Sequence, residues 1–465
     1  VLTAGLHTRP PWKDNFPRQQ TPGKTMKNFI LTAILLSASP SANAFAQEAP
    51  PPKVLTLEQC LKMAFDNSPE LIKARSSRTV GSAGLQTSAS ALLPRLSASS
   101  SYTQSGPASS VARDAFGNPV LSEGGHSNSY RTSINASQSL VNLSNWANLK
   151  GSINENQASA AAYAQSLANL SYQVKDAYYS LIKLRKALEV AQASVEQGRE
   201  QVTKARIMHQ LGSISKSDFL KFEITLSQNR VALLEARKAL AAGQQALRAL
   251  INAEGDFEVD DRMAFPDTAA APLSRDSLLA LARQRNPGYQ AARERCQAAR
   301  DYLWSAWLSK LPSLGAGYSY GYSDSLQFRD SRSWNRHDSW SFSLTLNWNI
   351  FDGTAAEAQI RRARAQAASA EADWMLAQRN LASEVDQVFI EWQAAREEIS
   401  LVGDLKLRAE EDFRLTTEKH RLGAASTLDL LTSQVNYNQS QREAVNAICS
   451  YYLAQAKVDQ LLGKR

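Results

Sequence analysis

Residues 340–351 read WSFSLTLNWNIF. Trp340, Phe342, Leu344, Leu346, Trp348 and Ile350 fall on one side of a period of two, and Ser341, Ser343, Thr345, Asn347 and Asn349 on the other. That period is a strand with one apolar and one polar face. Two surroundings suit it. In a soluble sandwich the aromatic face packs inward. In an outer-membrane barrel it faces lipid, and the small polar groups line a wet lumen. The rest of the chain has to choose.

The N-terminal region points to export. Met26-Lys27-Asn28 precedes the apolar run Phe29 to Leu36 and the small-residue sites around Ala42, Ala44 and Ala46. This pattern predicts a secretory signal peptide over 26–46, cleaved after Ala46 or Ala44. Residues 1–25 are expected to be a non-native upstream extension. Five of the 52 basic and one of the 44 acidic residues lie in the first 46, so the remainder carries only +4, no signature of nucleic-acid binding. Cys60, Cys296 and Cys449 are far apart and follow no metal or disulfide spacing. After residue 46 no apolar run is long enough for a membrane helix. A periplasmic, secreted or outer-membrane protein fits these facts.

The chain then repeats itself. Pro69 and Pro287 lie 218 residues apart, as do Leu93-Pro94 and Leu311-Pro312. His209, Gly212 and Asp218 match His420, Gly423 and Asp429 at an offset of 211. The longer loop of the first half is residues 105–128. Residues 47–256 form the first repeat, 257–272 a linker and 273–465 the second repeat. Each repeat reads as a first helix (near 57–92 and 274–310), two strands, a long helix (near 150–210 and 354–421), a turn and a return helix (near 216–253 and 427–463). The long helices carry apolar seams: Leu167, Leu170, Val174, Ala177, Leu181, Leu184, Leu188, Ala191 and Val195 in one, Leu381, Val385, Val388, Trp392, Ala395, Ile399 and Val402 in the other. Seams stepping by three and four predict coiled-coil packing.

Four amphipathic strands cannot close a barrel around water, and no second sheet is present to cover them. Three chains would supply twelve, an even number suited to a membrane barrel. The expected fold is therefore mainly α with a membrane β-barrel part: a homotrimer with a 12-stranded β-barrel continued by a long periplasmic α-helical barrel.

The doubled plan, the Asn-Ser-Pro and Asn-Pro openings, the Leu-Gly-x5-Asp hairpin tips and the "NIFDG" strand-to-helix junction together resemble the TolC family of outer-membrane efflux proteins. The resemblance covers residues 47–465. It implies a passive trimeric channel in the cell outer membrane, for efflux or type I secretion. Its implied partners are a periplasmic adaptor (membrane fusion) protein and an inner-membrane pump or ABC exporter, with outer-membrane lipid around it and no nucleic acid. No enzyme constellation stands out, and no cofactor or metal is expected. The alternative is a periplasmic coiled-coil adaptor or structural protein without a pore; an adaptor would need a lipoyl-like β-domain, and none is visible.

Several residues carry these expectations. Asp218 and Asp429 sit six residues past the tip glycines. A carboxylate there suits the start of a helix; in a trimer it would also ring the pore constriction. The resemblance implies that the second-repeat acid, Asp429, lines that constriction, with Asp218 tying adjacent hairpins. It also implies a second acid where this chain has Thr432, and a tip arginine where it has Ala425. Leu211, Gly212, Ser213, Leu422, Gly423 and Ala424 are the expected adaptor-docking tips. His209 and His420 suit either helix-end capping of carbonyls or pH sensing or metal binding. Trp340, Phe342, Trp348, Tyr318, Tyr320 and Tyr322 suit a lipid-facing belt. Arg131, Arg329, Arg332 and Arg336 fall in or near the lumen and outer loops.

Overall fold

The computed structural model describes residues 53–106, 109–123, 127–253, 255, 257–261, 274–324 and 338–464. The expected extension and signal peptide (1–46), most of the linker, His126, Arg329, Arg332, Arg336 and His337 lie outside the described residues.

Each repeat opens with two helices where one was expected. Helix α1 (Leu57–Asn67) gives way to α2 (Pro69–Ser90) at Ser68, which ends the first and caps the second: its N–H donates to Ala64 O, and its hydroxyl accepts from the Leu71 N–H. Asn286 does the same between α5 (Arg275–Arg285) and α6 (Pro287–Leu308), accepting from the Tyr289 N–H at 2.8 Å. The break follows from proline, which has no N–H to offer the preceding turn and fits best at the first helical position.

The strands come next. Strands β2 (Arg95–Ser105), β5 (Ser127–Val141), β7 (Ser313–Asp324) and β8 (Asp338–Asn347) form one antiparallel sheet in the order β2-β5-β7-β8. The pairs Ala98↔Ile134, Ile134↔Tyr320 and Tyr320↔Trp340 carry one face continuously across all four strands. That face takes the even-numbered positions, and the odd-numbered ones, Ser, Gly, Asn and Thr for the most part, make the other, up to a bulge after Ser139 that sets Val141 opposite Leu314. The outer strands β2 and β8 each leave one edge unpaired within this sheet.

Two features depart from expectation. The insertion at 105–128 is not simply a loop: β3 (Ser109–Arg113) and β4 (Pro119–Glu123) pair antiparallel around a turn in which Asp114 Oδ1 accepts the N–H groups of Phe116 and Asn118, each at 2.9 Å. The linker begins as a strand, β6 (Phe257–Val259), paired in parallel with β1 (Lys53–Leu55). Four polar contacts fasten this small ladder to α3 (Leu143–Gln210): Tyr178 Oη donates to Asp260 O at 2.8 Å, Arg185 donates to Val259 O at 3.2 Å and pairs with Glu258 at 3.3 Å, and Lys186 pairs with Asp261 at 2.8 Å.

The long helices are α3 and α7 (Ala355–Arg421), with return helices α4 (Lys216–Ile251) and α8 (Thr427–Leu461). At about 1.5 Å per residue α3 and α7 are each on the order of 100 Å long. Leu167, Leu170, Val174, Leu181, Ala191 and Val195 of the first seam are all buried, as are Leu381, Val385, Val388, Ala395, Ile399 and Val402 of the second. The largest core cluster joins Leu170, Val174, Leu181 and Ile182 of α3 to Cys60, Ala64, Leu247, Ile251, Phe257 and Val259. All three cysteines are buried and free. No described helix is long and apolar enough to cross a membrane.

Asn286 is 6% exposed and also donates its Nδ2 to Leu461 O at 3.0 Å, tying the start of the second repeat to the end of the chain. Removing it strands a buried carbonyl and an N–H together. Asn286→Ala is expected to cost about 2 kcal/mol. Ser68→Ala, which loses only a cap, should cost about 1 kcal/mol. Denaturant midpoints of the two variants check the ranking.

Candidate functional site

Two places concentrate the sequence-predicted residues: the hairpin tips and the amphipathic sheet. The tips close in the same way. Helix α3 is capped at Leu211, and Gly212 at φ +73° turns the chain; the Gly212 N–H donates to His209 O at 3.0 Å and the Ser213 N–H to Met208 O at 2.8 Å. In the second tip Gly423, at φ +74°, donates to His420 O at 3.0 Å and Ala424 to Lys419 O at 2.8 Å. This pair of bonds satisfies the last helix carbonyls, and only glycine enters the left-handed region without a Cβ penalty. It leaves Leu211 and Leu422 pointing outward, 76% and 73% exposed.

The return helices start on a Ser-x-x-Asp box. Ser215 accepts the Asp218 N–H at 3.1 Å and donates its hydroxyl to Asp218 Oδ2 at 2.7 Å. Ser426 does the same for Asp429, whose Oδ2 also accepts the Ser426 N–H at 3.0 Å. The two aspartates then differ. Lys221 Nζ lies 3.0 Å from Asp218 Oδ1, so Asp218 is neutralised by its own helix. The position equivalent to Lys221 is Thr432, exposed on α8, and Asp429 Oδ1 has no partner among the described residues. Within the chain Asp218 ties nothing to the neighbouring hairpin; its bonds are to Ser215 and Lys221. Both carboxyls are held below the usual carboxylate range, Asp429 by the Ser426 hydroxyl and then its N–H, Asp218 by the Ser215 hydroxyl and then Lys221.

The histidines diverge as well. His209 is half-buried, its Nδ1 3.3 Å from Ile214 O and its ring stacked on Phe219 at 5.7 Å between centroids. Position 430, equivalent to Phe219, is Leu, so His420 has no such stack. Among the described residues no three His, Cys, Asp or Glu side chains cluster as metal ligands.

Sequence reasoning missed the two capping serines, although Ser-x-x-Asp before a helix is a readable signature. It also missed a row of amides between the hairpins. Gln434 of α8, 3% exposed, accepts from Gln201 Nε2 at 2.9 Å and donates to Gln197 Oε1 at 3.0 Å. Asn438 donates to Ser194 Oγ at 2.9 Å, and Gln460 to Asn169 Oδ1 at 2.8 Å. No local periodicity marks such a row.

On the sheet, Trp340, Phe342, Trp348 and Tyr318 are exposed, from 46% to 69%, and Tyr320 is half-buried. The Trp348 indole N–H donates to Lys310 O at 3.1 Å, pinning the end of the strand to the end of α6. Tyr322 departs from expectation. It shares the aromatic face and pairs in register with Thr132 of β5 and Asp338 of β8, yet it is 1% exposed. It is not part of an exposed belt.

The tip caps predict a pH response. Because the folded Asp429 carboxyl lies below its unfolded value of about 4, its contribution is present above that value and lost as pH falls through the folded value. Ser426→Ala should lower the stability of the tip by about 1 kcal/mol near neutrality. Amide exchange at Asp429 and Leu430 should quicken accordingly. Exchange unchanged by the substitution would show that the box does not hold the tip.

The profile described as outer membrane efflux protein matches residues 60–253 and again 278–464, once in each half. Outer membrane protein TolC of Vibrio cholerae is 22% identical over 414 residues, 88% of this chain and 90% of that one. The alkaline protease secretion protein AprF of Pseudomonas aeruginosa is 26% identical over 191 residues, 39% of each. The solved structure of the outer membrane protein VceC of Vibrio cholerae superposes with a TM-score of 0.71 at 17% identity, over 88% of this chain and 96% of that one, which shows a shared fold. With both halves matched over most of their length, and with the helical hairpins and amphipathic sheet in place, the chain belongs to the outer membrane efflux protein family and is an outer-membrane protein.

Proposed function

We propose that three copies of this chain assemble into a passive conduit, with a barrel of twelve strands in the outer membrane and a helical tunnel in the periplasm. The observation that carries this reading is the four-stranded sheet. Its two edges are unpaired among the described residues, one face is largely aromatic and exposed, and the other is mostly serine and glycine. In lipid every open edge leaves N–H and C=O groups unsatisfied, at several kcal/mol each. Joining β2 of one copy to β8 of the next removes both edges; three copies make an even-stranded barrel, polar inside. Such a conduit needs no catalytic group of its own. The driving energy comes from an inner-membrane pump or ABC exporter, reached through a periplasmic adaptor. The exposed tips, Leu211, Gly212, Ser213, Leu422, Gly423 and Ala424, are the surface we assign to that adaptor. Cargo leaves by efflux or by type I secretion.

We assign the acidic constriction to Asp429 rather than Asp218. Asp218 carries a lysine counter-charge, whereas Asp429, with Thr432 in place of that lysine, keeps its negative charge exposed. A ring of three such charges favours cations. Single-channel recording in a planar bilayer tests both levels. Discrete steps are expected, with a cation preference that falls in Asp429→Asn and also in Thr432→Lys, which restores the lysine of the first repeat. Steps indifferent to both changes would reject the constriction. A preparation that is monomeric and soluble without detergent would reject the conduit.

A further inference from the structure

The polar face of the sheet is uneven in charge. Its odd-numbered positions from Arg95 to Asn347 carry two ionisable side chains, Arg95 and Arg131, and no carboxylate. The two acids of these strands, Asp324 and Asp338, occupy even positions on the aromatic face. Neither arginine has an ion-pair partner among the described residues. Arg95 pairs in register with Ser137 at the helix-proximal end of the β2–β5 ladder, and Arg131 pairs with Ser101 further along it. Six residues separate Arg131 from Ser137, which at about 3.3 Å per residue places the two cations roughly 20 Å apart along one wall.

Arg95 also sits in a concavity. At the helix-proximal end of the sheet a cleft of about 540 Å³ is lined by Arg95, Ser137, Ser139, Ser343, Thr345 and Asn347 among others. Hydroxyl and amide groups therefore line the same cleft as a guanidinium that no acid occupies. A guanidinium offers a planar fork of donors that fits carboxylate and phosphate oxygens two at a time.

We propose that this strand face is an anion path, in which Arg95 and its cleft form a binding station for a carboxylate or phosphate group on the cargo and Arg131 forms a second cationic level further out. The proposal rests on the reading above that this face is the lumen. In the trimer each level becomes a ring of three arginines. A gap of roughly 20 Å exceeds the screening length of about 10 Å in ordinary salt, so the two levels act independently. The barrel would then select with the sign opposite to that of Asp429 at the tips, favouring cargo that carries an acidic group.

Inorganic phosphate is the probe. In planar bilayers, phosphate should block the chloride current of the wild type; the block should be lost in Arg95→Gln and kept in Arg95→Lys. Arg131→Gln should shift the reversal potential in a salt gradient further toward cations without removing the block. Wild-type steps with no phosphate block, or a block indifferent to Arg95→Gln, would overturn the station and leave the conduit standing. If the wild type gives no steps, the conduit reading is what fails. Titration calorimetry of phosphate into the detergent-solubilised protein then decides the station by itself: heat in the wild type that is absent in Arg95→Gln supports it, and no difference between the two overturns it.

Discussion

One apolar seam holds this chain together. Helix α3 is 68 residues long, and no isolated helix of that length could bury its own stripe of leucine and valine. Along its length it meets a succession of partners. Near its start Gly151 lies against Tyr302 of α6, so close that an added Cβ would sit 2.6 Å from the ring. In its middle Leu170, Val174 and Leu181 pack with Cys60, Leu247 and Phe257; nearer the tip Val195, Val202 and Ala205 pack with Phe222 and Leu226. Between the hairpins the contact turns polar, through Asn169, Ser194, Gln197 and Gln201. Amides buried in such a contact must find partners, which sets the register of one hairpin on the other more narrowly than apolar packing would.

The sheet obeys the opposite rule. Its large side chains gather on one exposed face and its small polar ones on the other, an arrangement that water around a lone chain would not favour. The unpaired edges of β2 and β8 add to the mismatch. Lipid on one face, water on the other and neighbouring copies at the edges resolve both problems together. This gives the proposed trimer a physical reason that no single side chain supplies.

The two repeats share their turns and differ in their charges. Glycine ends both long helices, serine caps both return helices, and proline starts a helix after both Ser68 and Asn286. These are backbone requirements, and each repeat meets them alike. Side chains without a backbone role have diverged: Lys221 against Thr432 and Phe219 against Leu430. That divergence leaves Asp429 uncompensated while Asp218 is paired, so equivalent positions can serve different ends.

Periodicity along the chain determined the four long strands and the two coiled-coil seams, because each depends only on spacings of two or three-and-a-half residues between near neighbours; the doubling and the tip glycines showed as motifs that recur in both halves. The helix breaks at Pro69 and Pro287 were missed, although proline acts on its own turn and the sequence carries that signal. Tertiary structure alone decided the pairing of Lys53–Leu55 with Phe257–Val259, whose partners are about 200 residues apart. It alone enclosed Tyr322 while leaving Tyr318 exposed on the same face, and it alone joined Gln434 to Gln197 and Gln201. These depend on where distant segments meet in space, and spacing along the chain carries no record of that.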